Sequence, residues 1–185
     1  MTPAIDIAKQ QNIAYTVHEY QHDPKTPSFG EEASVKLGVP AQQVFKTLVV
    51  ETPDGELMVG VLPVSSQLSL KRFARAVSVR RAISAERAIS VKGAISVKRA
   101  ISSKRAVSIK KVQLANKEKA QRTTGYLAGG ISPIGQKKKL TTVIDHSAQD
   151  FSTIYISAGR RGLEIELCPS DLLHLCLASY ADIQA

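Results

Sequence analysis

Hydrophobic and polar positions alternate along several short stretches of the chain, a pattern that indicates β-strands. Residues 44–51 (VFKTLVVE) alternate in this way, and a Pro-Asp-Gly turn separates them from a second apolar run at 56–62. Two such runs joined by a tight turn predict a β-hairpin. We predict four further strands, at residues 13–18, 141–144, 153–157 and 162–167.

Signals that begin and end helices lie between these strands. Pro27 and Ser28 precede a helical stretch that Gly38 ends, and Asn116 and Pro169 are placed to begin two later helices. We predict five short helices, at 3–11, 31–37, 69–77, 117–124 and 169–178. Because short strands and short helices interleave, the pattern predicts a compact α+β domain with a sheet curled towards a barrel and flanking helices.

A six-residue repeat occupies residues 76–111 as AVSVRR, AISAER, AISVKG, AISVKR, AISSKR and AVSIKK. On a helix this period turns each isoleucine by about 120° from the last, so no apolar stripe forms. On a strand the even period would keep Ile83, Ile89, Ile95 and Ile101 on one face. Hexapeptide β-helices share the period but require small residues where this repeat has Lys or Arg.

We interpret the repeat as a tandem duplication that inserts about thirty residues at an exposed connection, which costs little stability. A basic arm that binds RNA is the alternative interpretation. The repeat contains ten basic residues and one acidic residue, and the rest of the chain carries 15 of each sign. The net charge of +9 therefore says little about what the remaining domain binds.

The composition excludes several classes of protein. No apolar run approaches the roughly 20 residues that a membrane span needs, and the first residues lack the apolar core of a signal peptide. The two cysteines, Cys168 and Cys176, are too few for a disulfide scaffold or a four-thiolate zinc site. We expect a cytoplasmic, reducing location.

Lys46 is the sharpest candidate for chemistry. The alternation of its strand places its side chain on the same face as Val44, Leu48 and Val50. An ammonium on an apolar face is costly unless it is paired, lies at an edge, or lines a cavity. An edge lysine that prevents aggregation and a lysine that lines a binding cavity remain open at this point.

Two loops are further candidates. Residues 125–135 (GYLAGGISPIG) hold five glycine or proline positions, which let backbone amides approach a ligand closely, and three lysines follow at 137–139. An ordinary long loop is the alternative. Residues 157–162 (SAGRRG) form a turn between two predicted strands that is equally compatible with a structural role.

The histidines and cysteines do not form a recognisable site. His18 and His22 have the i, i+4 spacing of metal ligands, but they fall on a predicted strand and loop, where that spacing does not converge. We interpret them as solvated or core histidines. Cys168 and Cys176 lie among leucines, which favours small buried hydrophobic side chains over a nucleophile.

Five blocks of the sequence, in order, carry a resemblance: MTPAIDIAKQQNI, HEYQHDP, FGEEA…LG…QVFKTLVV, AQRTTGYLAGGISPIGQKKKL and TIYISAGRRGLEIEL. They resemble the YbaK family of bacterial Cys-tRNA(Pro) deacylases, freestanding relatives of the prolyl-tRNA synthetase editing domain. The resemblance spans roughly residues 1–78 and 106–185 and implies one domain over 1–185, interrupted within 76–111. It also implies a compact mixed β-barrel with flanking helices, no metal and no organic cofactor.

The resemblance assigns roles to eight residues. The family's essential lysine falls on Lys46 and its glycine loop on Gly129, so we expect these two to be catalytic. Close relatives usually have Asp where this chain has Glu164, which has a longer reach. The remaining positions that we expect to bind substrate are Tyr20, Thr47, Gly130, Pro133, Ser157 and Glu164.

The resemblance implies an enzyme that works beside prolyl-tRNA synthetase and removes cysteine from tRNA(Pro), with Cys-tRNA(Cys) as a second candidate substrate. An aminoacyl ester is already activated, so the protein mainly orients it and stabilises the oxyanion. The substrate's own thiol can then attack its carbonyl, or water can. The alternative is a module with the editing fold that binds tRNA or a synthetase without turnover.

Overall fold

The computed structural model describes residues 1–26, 28–92 and 108–185. Pro27 lies outside this set. The strands are β1 (Tyr15–Glu19), β2 (Val44–Glu51), β3 (Leu57–Pro63), β4 (Gln113–Leu114), β5 (Thr141–Asp145), β6 (Ile154–Arg160), β7 (Leu163–Leu167) and β8 (Ser179–Ala181). The helices are α1 (Pro3–Gln10), α2 (Phe29–Leu37), α3 (Leu70–Lys92), α4 (Lys117–Thr124) and α5 (Pro169–Cys176), with a 3₁₀ turn at His146–Asp150.

The described strands form one mixed sheet in the order β1-β7-β6-β2-β3-β5-β8, and β4 pairs with β2. β2 and β3 form the predicted antiparallel hairpin, in register from Phe45↔Pro63 to Glu51↔Leu57. The pairs β2–β6, β3–β5 and β5–β8 are parallel. The predicted α+β class is confirmed, and the sheet of described strands stays open rather than closing into a barrel.

Local signals place the helix ends as expected. Gly38 adopts a left-handed conformation (φ 68°) at the end of α2, and the Asn116 side chain accepts hydrogen bonds from the amides of Glu118 and Lys119 at the start of α4. The first strand begins two residues later than predicted, because the Ile13 amide donates to the Ala8 carbonyl (3.1 Å) and so completes the end of α1.

Helices cover both faces of the sheet. On one face, α1 and α5 pack on a core that contains Phe45, Ile156 and Ile165. On the other face, Phe73, Ala74 and Val77 of α3 pack against β2, β3 and β5. α2 packs over Val44, Val64 and Tyr155 in a third cluster. Residues of β2 and β6 also line a cavity at the junction of the two strands.

The helix predicted at residues 69–77 is present, and α3 continues through residues 78–92, so the strand pattern considered for the repeat is wrong there. The predicted loss of an apolar stripe does occur, since Val77 is buried while Val79 and Ile83 are about half exposed. The helix forms nevertheless, because its first turns are anchored in the core and Ala, Arg and Lys favour helix. The units at 93–107, with Ile95 and Ile101, lie outside the described residues.

The residues that flank the repeat's central units on either side, Ser78 and Ile109, lie next to each other in the domain. The Ile109 amide donates to the Ser78 hydroxyl at 2.8 Å, although the two residues are 31 positions apart. Arg80 reaches the carbonyls of Thr142 and Leu177, so the first unit is tied to the domain. Because Ser78 and Ile109 are in contact, the residues between them can form an insertion that begins and ends at neighbouring positions of the domain. Across the described residues, no helix is both long enough and apolar enough to cross a membrane.

Candidate functional site

A cavity of about 430 Å³ lies where β2 loses its neighbour on one side. β6 pairs with β2 only at Val44↔Tyr155 and Phe45↔Ile156, and β4 pairs only at Val50 and Glu51. The segment of β2 between these pairings therefore has an open edge, and the cavity fills that gap. Depressions of about 550 and 780 Å³ lie elsewhere, but of the predicted site residues they include only Pro133.

The cavity brings together five of the eight predicted site residues. Lys46 and Thr47 enter it from β2, Ser157 from β6, Glu164 from β7 and Gly129 from the loop after α4. Its other walls come from the start of α2 and from the segment that leads into α4, with Ser28, Phe29, Gly30, Leu114, Ala115, Lys117 and Ala120.

Lys46 is half-buried, and among the described residues no nearby carboxylate fully balances the charge of its ammonium. Burial lowers the pKa of its ammonium, and the carboxylate of Glu31 partly offsets this. Nζ donates one long hydrogen bond, 3.3 Å, to the Val64 carbonyl. Among the described residues no carboxylate lies within 4.0 Å of Nζ. The cation is therefore available to a negatively charged or strongly polar ligand group.

Thr47 presents polar groups to the open edge of β2. Its Oγ1 is buried and has no hydrogen-bond partner among the described residues. The Val64 amide donates to the carbonyl of Val44, and the Ala115 amide to that of Val49. The backbone amides and carbonyls of successive residues point to opposite sides of a strand. The odd-numbered residues of β2, Thr47 included, therefore direct their backbone amides and carbonyls towards the open edge that borders the cavity. A buried polar group without a partner is costly, so this position favours a polar ligand.

Glu164 faces Ser157 across the β6–β7 ladder. Only 8% of Glu164 is exposed, and burial raises the pKa of its carboxyl to about 8. At neutral pH this side chain is therefore mostly protonated and able to donate a hydrogen bond. The Ser157 hydroxyl accepts a hydrogen bond from the Gly159 amide at 3.3 Å, next to a bulge that interrupts the ladder.

The glycine loop forms the opposite wall. The Gly130 amide donates to the Leu127 carbonyl (3.0 Å), which closes a turn, and Gly129 has a φ of 87° that favours glycine. A Cβ on Gly130 would lie 2.9 Å from the Arg160–Arg161 backbone, so the loop rests directly on the β6–β7 turn.

Three predicted site residues take other places. Tyr20 packs beside Val44 and Val64 behind the cavity wall, and burial followed by the carboxylates of Glu164 and Glu32 raises the pKa of its phenol. Gly130 supports the turn. Pro133 lies at the second depression, where its carbonyl accepts a hydrogen bond from the Cys176 thiol at 3.3 Å.

Neither the histidines nor the cysteines of the described residues reach the cavity. A ring nitrogen of His18 is hydrogen-bonded to Glu166 at 2.9 Å, and one of His22 to Glu32 at 2.7 Å. The two rings therefore contact different carboxylates. Cys176 is buried, which raises the pKa of its thiol to about 12, and Cys168 lies outside the cavity.

One acidic cluster groups Asp145, His146 and Asp182. Asp145 is fully buried, and its oxygens accept hydrogen bonds from Ser147, Ile183 and Gln184. These internal partners account for its burial.

Sequence reasoning missed the contribution of α2 and α4 to the site. Phe29 and Gly30 line the cavity, and the only signal for them was their place in the FGEEA block. Lys117 lines it from the first turn of α4, where nothing in the local sequence distinguishes it from other surface lysines. Arg161 was noted only as part of a turn, although its side chain contacts both Phe29 and the glycine loop.

The chain is 30% identical over 182 residues to "Putative Cys-tRNA(Pro)/Cys-tRNA(Cys) deacylase EbsC" of Enterococcus faecalis (strain ATCC 700802 / V583), covering 98% of this chain and 92% of that protein. The chain belongs to the YbaK family of aminoacyl-tRNA editing domains. A family model described as "Aminoacyl-tRNA editing domain" matches residues 87–175 of this editing domain. The family predicted from the five sequence blocks is confirmed.

Two solved structures share the fold of the editing domain. One is a crystal structure of "a putative trans-editing enzyme for prolyl tRNA synthetase", with a TM-score of 0.71 and 18% identity, covering 100% of this chain and 99% of that one. The other is "hypothetical protein APE2540", with a TM-score of 0.72 and 20% identity, covering 99% of both chains. At these identities the similarity establishes the fold of the sheet and its helices.

Proposed function

We propose that this editing domain acts in trans as a deacylase that removes cysteine from mischarged Cys-tRNA(Pro). The name of the Enterococcus relative, aligned over almost the whole chain, supports this substrate class. The observation that carries the proposal is the half-buried Lys46 ammonium, with no carboxylate within 4.0 Å among the described residues, facing a glycine turn across the cavity. At about 430 Å³ the cavity is in the range of small-ligand pockets.

The ester that links cysteine to the terminal ribose is already activated. The protein therefore has to hold it and to stabilise the negative charge that develops on the carbonyl oxygen. Lys46 binds the phosphate of the terminal adenosine or the ester oxygen, and the Gly129 amide donates to the oxyanion. Thr47, Ser157 and the neutral Glu164 hold the polar groups of the aminoacyl end. Tyr20 and Gly130 support the walls from behind, and Pro133 lies outside the cavity.

The substrate supplies the nucleophile. No histidine or cysteine of the described residues lines the cavity, and the hydrogen bond found for the Ser157 hydroxyl comes from the Gly159 amide and not from a basic side chain. The cysteine thiol attacks its own carbonyl, so a C–S bond forms and the C–O bond to the ribose breaks. The proton lost from the thiol ends on the released 3′-hydroxyl, and the products are a cysteine thiolactone and tRNA. Attack by water instead gives cysteine and tRNA.

The partners of the reaction follow from the substrate. Mischarged tRNA(Pro) is produced by prolyl-tRNA synthetase, so we place the editing domain in the cytoplasm beside that enzyme. The resemblance to the YbaK family implies that the reaction needs no metal or organic cofactor. Proline is excluded by the shape of the cavity and, for the thiol-assisted step, by the absence of a thiol.

The experiment incubates the protein with Cys-tRNA(Pro), Cys-tRNA(Cys), Ala-tRNA(Pro) and Pro-tRNA(Pro) and follows the loss of each aminoacyl bond. We expect fast deacylation of Cys-tRNA(Pro) and none of Pro-tRNA(Pro) above the uncatalysed rate. Tight binding of Cys-tRNA(Pro) with no deacylation would replace the enzyme by a non-catalytic tRNA-binding module.

A further inference from the structure

The turn that carries Gly129 has two possible orientations of its central peptide. The Gly130 amide donates to the Leu127 carbonyl, and the φ of 87° at Gly129 is that of the third residue of a type II turn. In a type I turn the same φ is about −90° and the peptide between Ala128 and Gly129 is flipped. The flip would exchange the directions of the Ala128 carbonyl and the Gly129 amide.

Arg161 holds this peptide from outside the cavity. Its Nε and Nη2 donate to the Ala128 carbonyl at 3.1 and 2.8 Å, as a two-pronged contact. The guanidinium carbon lies 4.6 Å from the centre of the Phe29 ring, and the centre of the His22 ring lies 5.5 Å from that of Phe29. Ala128 and Gly129 line the cavity, whereas Arg161 is absent from its lining among the described residues.

The orientation of the Gly129 amide follows from that contact. In a trans peptide the carbonyl and the next amide point in opposite directions. With the Ala128 carbonyl turned outwards to Arg161, the Gly129 amide is turned towards the cavity, and the Gly130 amide is already used inside the turn. We propose that Arg161 is a positioning residue, which locks the type II turn so that the Gly129 amide faces the reacting carbonyl oxygen. This proposal rests on the proposed deacylase function.

Lysine cannot replace arginine in this role. The planar guanidinium donates from two nitrogens to one carbonyl oxygen and stacks on an aromatic face, whereas an ammonium is a compact point charge on a flexible stem. Arg161→Lys therefore keeps the positive charge but loses the paired hydrogen bonds to the Ala128 carbonyl and the stacking on Phe29. Arg160→Lys is the matched control, because Arg160 is the exposed neighbour in the same turn and pairs with Glu19 at 2.7 Å.

The kinetic test measures kcat and KM on Cys-tRNA(Pro) for the wild type, Arg161→Lys, Arg161→Gln and Arg160→Lys. We expect kcat to fall about tenfold or more in both Arg161 variants while KM changes by less than about threefold, because an oxyanion donor acts in the transition state. Arg160→Lys keeps both constants within about twofold of wild type. A rise in KM with unchanged kcat would make Arg161 a phosphate contact and overturn the proposal.

A second measurement does not depend on turnover. A cysteinyl-adenosine analogue with an amide in place of the ester is titrated into ¹⁵N-labelled protein, and the Gly129 amide resonance is followed. In the wild type we expect a downfield shift of this resonance on binding, and in Arg161→Lys a loss of most of that shift with other cavity shifts retained. An unchanged Gly129 response in folded Arg161→Lys would overturn the proposal. A wild type that binds the analogue but deacylates no aminoacyl-tRNA would instead overturn the proposed function alone.

Discussion

Glu164 makes the stability of this protein depend on pH in a way that one substitution can isolate. Glu164 is 8% exposed, and burial raises the pKa of its carboxyl from the usual 4.5 to about 8. A group whose pKa is higher in the folded state stabilises the fold fully below the unfolded-state pKa, and that contribution is lost as pH rises through the folded-state pKa. Between pH 4.5 and about 8, stability should therefore fall with pH on account of this residue.

The magnitude follows from the two pKa values. One proton bound to the folded state alone changes the free energy of unfolding by about 1.4 kcal/mol per pH unit. Over the whole interval this approaches about 5 kcal/mol, and rearrangement around the ionised carboxylate makes that an upper limit. Glu164→Gln mimics the protonated form at every pH, so its stability advantage over wild type should grow from near zero at pH 4.5 to several kcal/mol at pH 8.5.

The assay is urea unfolding of wild type, Glu164→Gln and Glu166→Gln at intervals from about pH 3 to 9. Glu166→Gln is the matched control on the same strand, because hydrogen bonds from Thr153 and His18 lower the pKa of Glu166 despite some burial. That variant should lose stability relative to wild type at neutral pH, and the loss should shrink as pH falls below about 4.5. An advantage of Glu164→Gln that stays constant from pH 5 to 9 would refute the reasoning.

Three further predictions concern the cavity and the repeat. Lys46→Met should reduce kcat/KM by about 2–4 kcal/mol of transition-state stabilisation without lowering the melting temperature, because it removes a poorly compensated buried charge. Lys36→Met, at an exposed lysine of α2, should change neither, and full activity of Lys46→Met would make Lys46 an edge lysine. Deletion of residues 82–105, four whole units, should leave kcat within about threefold, since Ser78 and Ile109 are already in contact and loop length costs little. A large loss of kcat at saturating tRNA would show that the repeat shapes the cavity. Gly30→Ala should weaken substrate binding and lower stability, because its Cβ would lie 2.3 Å from Cγ1 of Val64 at the cavity wall; unchanged KM and melting temperature would contradict this.

The parts of the fold that depend on local signals were predictable from the sequence. The β2–β3 hairpin follows from alternation and a turn, and Gly38 and Asn116 end and begin helices through contacts within a few residues. The two- and three-residue strands β4 and β8 were missed because strands this short carry no period. The helix over residues 78–92 was not predictable from the repeat, because its period argues against an amphipathic helix and the anchoring of α3 in the core outweighs that pattern.

The candidate site was predictable only at β2, where the sequence pattern of one strand marks an unusual residue. Lys46 stands out because a charge interrupts an apolar alternation, and the half-buried position found for it explains that interruption. The open edge of β2 depends on where β4 and β6 stop pairing, which involves residues more than sixty positions away. Arg161 acts on Ala128 across 33 positions, so no spacing in the sequence could reveal it.

The most direct test of the account compares the deacylation rates of Cys-tRNA(Pro) and Ser-tRNA(Pro) under single-turnover conditions with saturating enzyme. Serine keeps nearly the volume of cysteine and loses the thiol, and a pocket alone separates such near-isosteres by only about 1–3 kcal/mol. If the substrate thiol is the nucleophile, the serine ester should react more than about a thousandfold more slowly, beyond what that pocket discrimination allows. Rates within about tenfold of each other would contradict the thiol-assisted mechanism and assign the attack to water.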